Sequence, residues 1–203
     1  SGYRVTSRLG VGGMGIVYQG EQETIGKRVA IKVLRPEIAD NPEVVQRLVA
    51  EARAVNKVGH RGIIDVFGFG SLPDGRQCIV MEYLVGGSLH DRIREVHLSV
   101  PEVVLVGQEV ASALLAAHAL GVIHRDVKPH NLLVSGFGHA KVADFGIAAL
   151  VRDSGVRTQT QSLTLAYASP EELDGAIDVG PPTDVYSLAA TLAHLTTGVK
   201  PSF

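Results

Sequence analysis

Near residue 84 the hydrophobic pattern of the chain changes period, and that change constrains the fold more than any single motif does. Before it, short β-forming runs are broken by glycine, with Arg28 to Leu34 the clearest of them. Pro42 to Lys57 interrupts the runs with a helical stripe at Leu48, Ala52 and Val55. Val66 to Phe69 and Cys78 to Tyr83 read as strands joined by the turn signal Pro73-Asp74-Gly75. A hinge is expected at Leu84 to Gly87, where two glycines follow an apolar strand. Beyond it the spacing is helical. Ser99 with Glu102 makes a capping box, with Pro101 in the first turn, and predicts a helix running to Gly121. Ser169 with Glu172 repeats that start for a short helix, and Thr183 to Thr197 reads as a third, stopped by Gly198 and Pro201. Strands first and helices later predict an α+β fold in two lobes, residues 1–84 and 85–203.

Charge and cysteine usage narrow the function classes. Lysine and arginine total 19 against 21 acidic side chains, a formal net charge of −2, and no basic run occurs. A nucleic-acid or anionic-membrane surface is therefore not expected. The single cysteine, Cys78, lies in an apolar stretch and reads as a buried strand residue in a reducing compartment. Val103 to Ile123 is the most apolar long segment, but Gln108, Glu109 and His118 interrupt it, so a core helix is expected, not a membrane span. No signal peptide is visible, and residue 1 already sits at the edge of a strand pattern. Both termini thus read as cut from a longer chain.

Three constellations carry chemistry. Gly10, Gly12 and Gly15 lie between two strand runs, where a glycine-rich turn brings backbone N–H groups close to phosphates. A plain glycine-rich hairpin fits the same residues. A dinucleotide fold does not, because Ile16, Val17 and Tyr18 continue as β-formers instead of opening a helix. Lys32 ends the strand run Val29-Ala30-Ile31, as a snorkelling edge residue or as a buried cation serving an anion. Glu51 lies on or beside the apolar helical stripe, and either pairs with Lys32 or stays solvated at the stripe edge. The third constellation is His124-Arg125-Asp126-Val127-Lys128-Pro129-His130-Asn131, a polar cluster between an apolar helix and an apolar strand. Asp126 can deprotonate an attacking hydroxyl, Lys128 can steady a migrating phosphoryl charge, and Asn131 can hold a metal. Asp144, in Asp144-Phe145-Gly146 after another strand, adds a second hard oxygen ligand for Mg²⁺.

In their order and spacing these motifs resemble the eukaryotic-type (Hanks-type) protein kinase catalytic domain, in its bacterial Ser/Thr form. The resemblance covers essentially the whole chain. It implies the bilobal kinase fold and transfer of the γ-phosphate of Mg·ATP, or with Mn²⁺ as the metal, to Ser/Thr hydroxyls of protein substrates. By that resemblance Gly10, Gly12 and Gly15 cover the phosphates, and Lys32 pairs with the α- and β-phosphates and with Glu51. Val17, Ala30 and Leu133 would sandwich adenine beside the gatekeeper Met81, with Glu82 and Leu84 offering backbone hydrogen bonds. Asp126 would be the base and Lys128 the γ-phosphate contact, with Asn131 and Asp144 the metal ligands. Val55, Val66, Phe145 and His124 would stack as a spine anchored by Asp184. Lys128 and Thr164 point to Ser/Thr specificity, Thr164 matching the residue that lines the substrate hydroxyl site. Thr160, then Thr158, would be autophosphorylated in the activation loop and pair with Arg125, which brings two copies together. A cytoplasmic location is expected, as a free protein or as the cytosolic part of a membrane-anchored one.

Two departures stand out. Leu163 replaces a usual glycine before Thr164, and Ala189 replaces a glycine often seen in the third helix. The family's domain also continues through further helices, so a chain stopping at Phe203 should leave Glu171 without its usual arginine and apolar surface uncovered. A pseudokinase scaffold would usually have lost Lys32, Asp126 or Asp144. A small-molecule phosphotransferase would lack the Thr164-to-Glu171 segment. A fragment inactive through truncation is the remaining alternative.

Overall fold

The computed structural model describes residues 2–72, 74–145, 165–174 and 179–202. Its first half is one antiparallel sheet of β1 (Tyr3–Gly12), β2 (Gly15–Gln22), β3 (Lys27–Leu34), β4 (Val66–Ser71) and β5 (Gln77–Glu82), in the spatial order β1-β2-β3-β5-β4. That order makes β3 central, and every residue from Val29 to Leu34 is buried. Alternation sorts them to two faces. Val29, Ile31 and Val33 pack with Cys78 and Val80 on one side. Ala30 and Leu34 pack on the other with Val44 and Leu48 of helix α2 (Pro42–Val58). Lys32 shares the α2 side, which is why a charged residue is enclosed there at 5% exposure. β1, at the sheet edge, is exposed along its whole length.

A single turn, α1 (Pro36–Ala39), leads into α2. Asn41 Oδ1 caps α2 by accepting from the N–H groups of Glu43 and Val44. Gly59, at φ 61°, ends it in the left-handed conformation that glycine adopts without cost.

The second half is helical, with α3 (Leu89–Glu95), α4 (Val100–His118), α5 (Pro170–Leu173) and α6 (Pro181–Thr197) beside a small hairpin of β6 (Leu132–Val134) and β7 (Ala140–Val142). Both expected capping boxes form. The Ser99 N–H donates to the Glu102 carboxylate at 2.8 Å, and Ser169 Oγ accepts from the Glu172 N–H at 3.4 Å. α6 begins at Pro181 instead of Thr183 because proline suits a first helical turn. α4 is long and apolar enough to cross a membrane by length and composition. Here it packs against α6 and β7, with Val110, Ala113 and Ala117 fully buried. Each valine or leucine so enclosed contributes about 1.5–3 kcal/mol. Their cluster takes in Val127, Leu132, Val142 and Phe145, so the segment from His124 to Asn131 is built directly onto the hydrophobic core.

Candidate active site

The polar cluster from His124 to Asn131 lies between α4 and β6, and one buried carboxylate organises it. Asp184 of α6 is fully buried and accepts from the backbone N–H of His124 and of Arg125, both at 2.8 Å. His118 Nε2 stands 2.7 Å from the same carboxylate. Arg125 has φ 62°, a left-handed conformation that costs a non-glycine residue free energy unless its surroundings hold it. The Asp184 clamp supplies that restraint. His124 is locked as well. Its Nδ1 accepts from the Asp126 N–H at 3.1 Å, which leaves the proton on Nε2 to be donated to the Ala143 carbonyl at 2.9 Å. Its ring also meets Phe145 with centroids 4.5 Å apart.

Asp126, Lys128 and Asn131 converge as expected. Lys128 Nζ reaches Asp126 Oδ1 at 2.9 Å and Oδ2 at 2.8 Å. Asn131 Nδ2 donates to Asp126 Oδ2 at 2.9 Å and to its carbonyl at 2.8 Å. With the amide nitrogen committed, the amide oxygen is the atom left for a metal. The Asn131 carbonyl accepts from the Ala143 N–H at 2.8 Å, which ties the loop to the residue before Asp144.

Across the cleft, Val17, Ala30, Met81, Leu84 and Leu133 fall into one apolar cluster, although they come from four strands and the hinge. That is the slot the sequence assigned to a planar base. Of the three loop glycines, only Gly15 is forced by space, since a Cβ there would sit 1.9 Å from the Val33 carbonyl oxygen. Gly10 has open space, and Gly12 has only the Gly15 carbonyl at 4.0 Å. Neither adopts a positive φ, so both are strand residues and not turn residues. Arg35 also steadies this loop by donating to the Gly12 carbonyl at 3.2 Å.

The expected Lys32–Glu51 pair is not made. Lys32 Nζ lies 2.7 Å from Asp144 Oδ2 instead. Burial alone would raise the Asp144 carboxyl, but the charge and hydrogen bond of Lys32, helped by Lys128, hold it below its ordinary value. Glu51 goes the other way. Burial pushes its carboxyl up, only partly offset by the charge of Arg125. A cavity of about 30 Å³ lies between α2 and the strands, lined by Leu48, Val55, Val66, Met81, Asp144 and Phe145 among others. Of the expected spine, His124 packs against Phe145, Val55 shares the core cluster of Phe145, and Val55, Val66 and Phe145 line the cavity together.

Thr158, Thr160, Leu163 and Thr164 lie outside the described residues. Glu171 takes a local partner, accepting from Thr183 Oγ1 at 2.9 Å. Two side chains were missed in the sequence. His118 looked like an interruption of an apolar helix, although a histidine in such a run needs a polar partner. Lys141 bonds Glu82 at 2.9 and 2.7 Å, and its place between buried Ala140 and Val142 was the available signal.

Known proteins resemble this chain over almost its whole length. Residues 3–203 match the protein kinase domain. The serine/threonine-protein kinase Pkn1 of Myxococcus xanthus is 42% identical over 205 residues, covering 98% of this chain and 29% of that protein. The serine/threonine-protein kinase PknA of Mycobacterium tuberculosis is 37% identical over 206 residues, covering 98% of this chain and 47% of its own length. The chain therefore spans less than half the length of either relative. The crystal structure of the M. tuberculosis PknI kinase domain superposes with a TM-score of 0.79 at 32% identity, covering 100% of this chain and 75% of that one. The likeness runs through the sheet half and the helical half alike, and the chain belongs to the protein kinase domain family.

Proposed function

We propose that this domain, with its lobes meeting at residue 84, transfers the γ-phosphoryl group of ATP to serine or threonine hydroxyls of protein substrates. The observation that carries this reading is the clamped cluster of Asp126, Lys128 and Asn131, one carbonyl away from the segment that bears Asp144. In the reaction a substrate hydroxyl oxygen forms a bond to the γ-phosphorus while the bond to the β,γ-bridging oxygen breaks. Asp126 takes the hydroxyl proton, and ADP leaves with the electron pair. Lys128 balances charge on the transferred group. The Asn131 amide oxygen and the Asp144 carboxylate are hard donors that fit Mg²⁺, or Mn²⁺, which would neutralise phosphate charge when bound. Val17, Ala30 and Leu133 close on the base beside Met81, with backbone groups of Glu82 and Leu84 facing its edge. Thr164, by the family resemblance, would serve the acceptor hydroxyl.

The Lys32–Asp144 pair supports reading the described arrangement as a resting one. In turnover Lys32 serves the α- and β-phosphates and Glu51, which frees Asp144 for the metal. Phosphorylation of Thr160, and next Thr158, supplies Arg125 with a dianionic partner and drives that rearrangement. Full-length protein incubated with Mg·ATP and an acceptor protein should gain whole phosphates by intact mass, and an Asp144→Asn variant should not. No gain in the parent would sink the transferase reading. Site mapping that finds neither threonine modified would sink the activation step alone. The domain is read as the cytosolic part of a longer protein.

A further inference from the structure

Glu82 and Lys141 form an ion pair for which the assigned chemistry has no use. Lys141 Nζ contacts both carboxylate oxygens, at 2.9 Å and 2.7 Å. The two side chains are only 17% and 25% exposed, so this is not a solvated surface contact. Fifty-nine residues separate them in sequence, and they belong to different lobes, Glu82 ending β5 and Lys141 lying in the centre of β7. Glu82 holds a third segment too. Its N–H donates to the Asp65 carbonyl at 2.9 Å, and its Oε2 accepts from the Asp65 N–H at 3.5 Å. Next to Lys141, Val142 donates to the Gly62 carbonyl at 2.8 Å and accepts from the Ile64 N–H at 3.0 Å. Residues 141 and 142 thus grip the hinge strand and the segment that follows α2 together.

The placement has a geometric meaning. In the hairpin register Lys141 stands opposite Leu133, which floors the apolar slot. Glu82 follows Met81 at the back of that slot, and Asp144 lies just beyond β7. A nucleotide must reach the hinge with its base and Asp144 with its phosphates at once. Apolar contacts alone would let the two ends slide, whereas a carboxylate gripped through both oxygens fixes distance and direction.

We propose that Lys141 is a positioning residue for the nucleotide: through Glu82 it bolts the strand leading to Asp144 onto the hinge and so sets the span between the base slot and the metal-facing carboxylate. This rests on the nucleotide reading above. Breaking the bolt weakens binding in the ground state and the transition state equally, so KM rises and kcat holds.

The test compares full-length parent, Lys141→Met, Lys141→Arg and the charge-swapped double variant Glu82→Lys/Lys141→Glu. Steady-state kinetics at varied Mg·ATP, Mg·ADP titration and melting curves are measured for each. Lys141→Met should raise KM for ATP and the Kd of ADP about tenfold with kcat nearly constant. Lys141→Arg should stay near the parent, and the swap should recover most of the loss even where the single variant melts early. An unchanged KM in Lys141→Met, a swap no better than the single variant, or a change confined to kcat would overturn the proposal. A parent that binds no ATP would sink the kinase reading and this one with it. Parent and Lys141→Met binding ATP equally well, with transfer intact, would sink this one alone.

Discussion

Asp126 and Glu51 are carboxylates facing the same cleft from opposite sides, and their surroundings differ in kind. Asp126 is held by Lys128 and Asn131 on a loop whose backbone is pinned by Asp184. Glu51 sits on a helix that borders a cavity, with its carboxyl pushed up by burial and its expected cation engaged by Asp144. The first arrangement is complete in the isolated fold because all its partners belong to one packed core. The second depends on how a helix lies against a sheet, with a cavity of about 30 Å³ between them. On the proposed function, preorganisation is thus concentrated at the proposed base, and adjustability at the proposed phosphate grip.

The sharpest way to break this contrast is to remove Asp126. Asp126→Asn should lower kcat by about 10²–10⁴-fold in single-turnover phosphoryl transfer, with ATP affinity retained. A smaller loss would mean that the finished side is not where the chemistry is done. Next comes the clamp. Asp184→Ala leaves two N–H groups unpaired behind a strained Arg125 and should cost about 3–5 kcal/mol in urea unfolding. Stability close to the parent would show that the core holds the loop without it. Glu51→Gln should separate the two properties. It should reduce kcat/KM about tenfold or more by spoiling the Lys32 pair formed in turnover, while its melting temperature equals or exceeds the parent's, because a poorly solvated charge is removed. A large stability loss would put Glu51 in the finished half.

The smallest effect concerns pH. His194 on α6 lies 2.7 Å from the Tyr167 hydroxyl, and burial first, then the charges of His90 and Lys200, lower its pKa. With a depressed folded value, the unfolded chain takes up the proton first, so stability falls as pH drops below the ordinary histidine value of about 6.5. His194→Gln should therefore lose less melting temperature than the parent between about pH 7.5 and about pH 5. An identical slope would remove His194 from the acid response.

Much of this was legible because it is local. Ser99 and Glu102 lie within one turn of each other, so the capping box could be read and then found. The β-forming run ahead of Lys32 allowed a snorkelling edge residue or an enclosed cation, and its place on the α2 face of the central strand decided for the second. Its partner was not legible. Glu51 and Asp144 both suit it, and the choice turns on the distance of α2 from the sheet, which no spacing encodes. The Lys141–Glu82 pair was hidden for another reason. Single residues on strands far apart in the chain show no pattern until the sheet and hairpin are brought together. The glycine spacing could not show which position is sterically forced within the fold, and only Gly15 is.

The Asp184 clamp also sets an order of assembly. The carboxylate that pins His124 and Arg125 is encoded 60 and 59 positions after them. At synthesis rates of about 5–20 residues per second, the catalytic loop leaves the ribosome several seconds to about ten seconds before its anchor. Until α6 docks, the two hydrogen bonds that Asp184 accepts from the His124 and Arg125 N–H groups are missing, and the loop lacks its anchor. The shape of the His124–Asn131 loop is in this way completed only after α6 has been made.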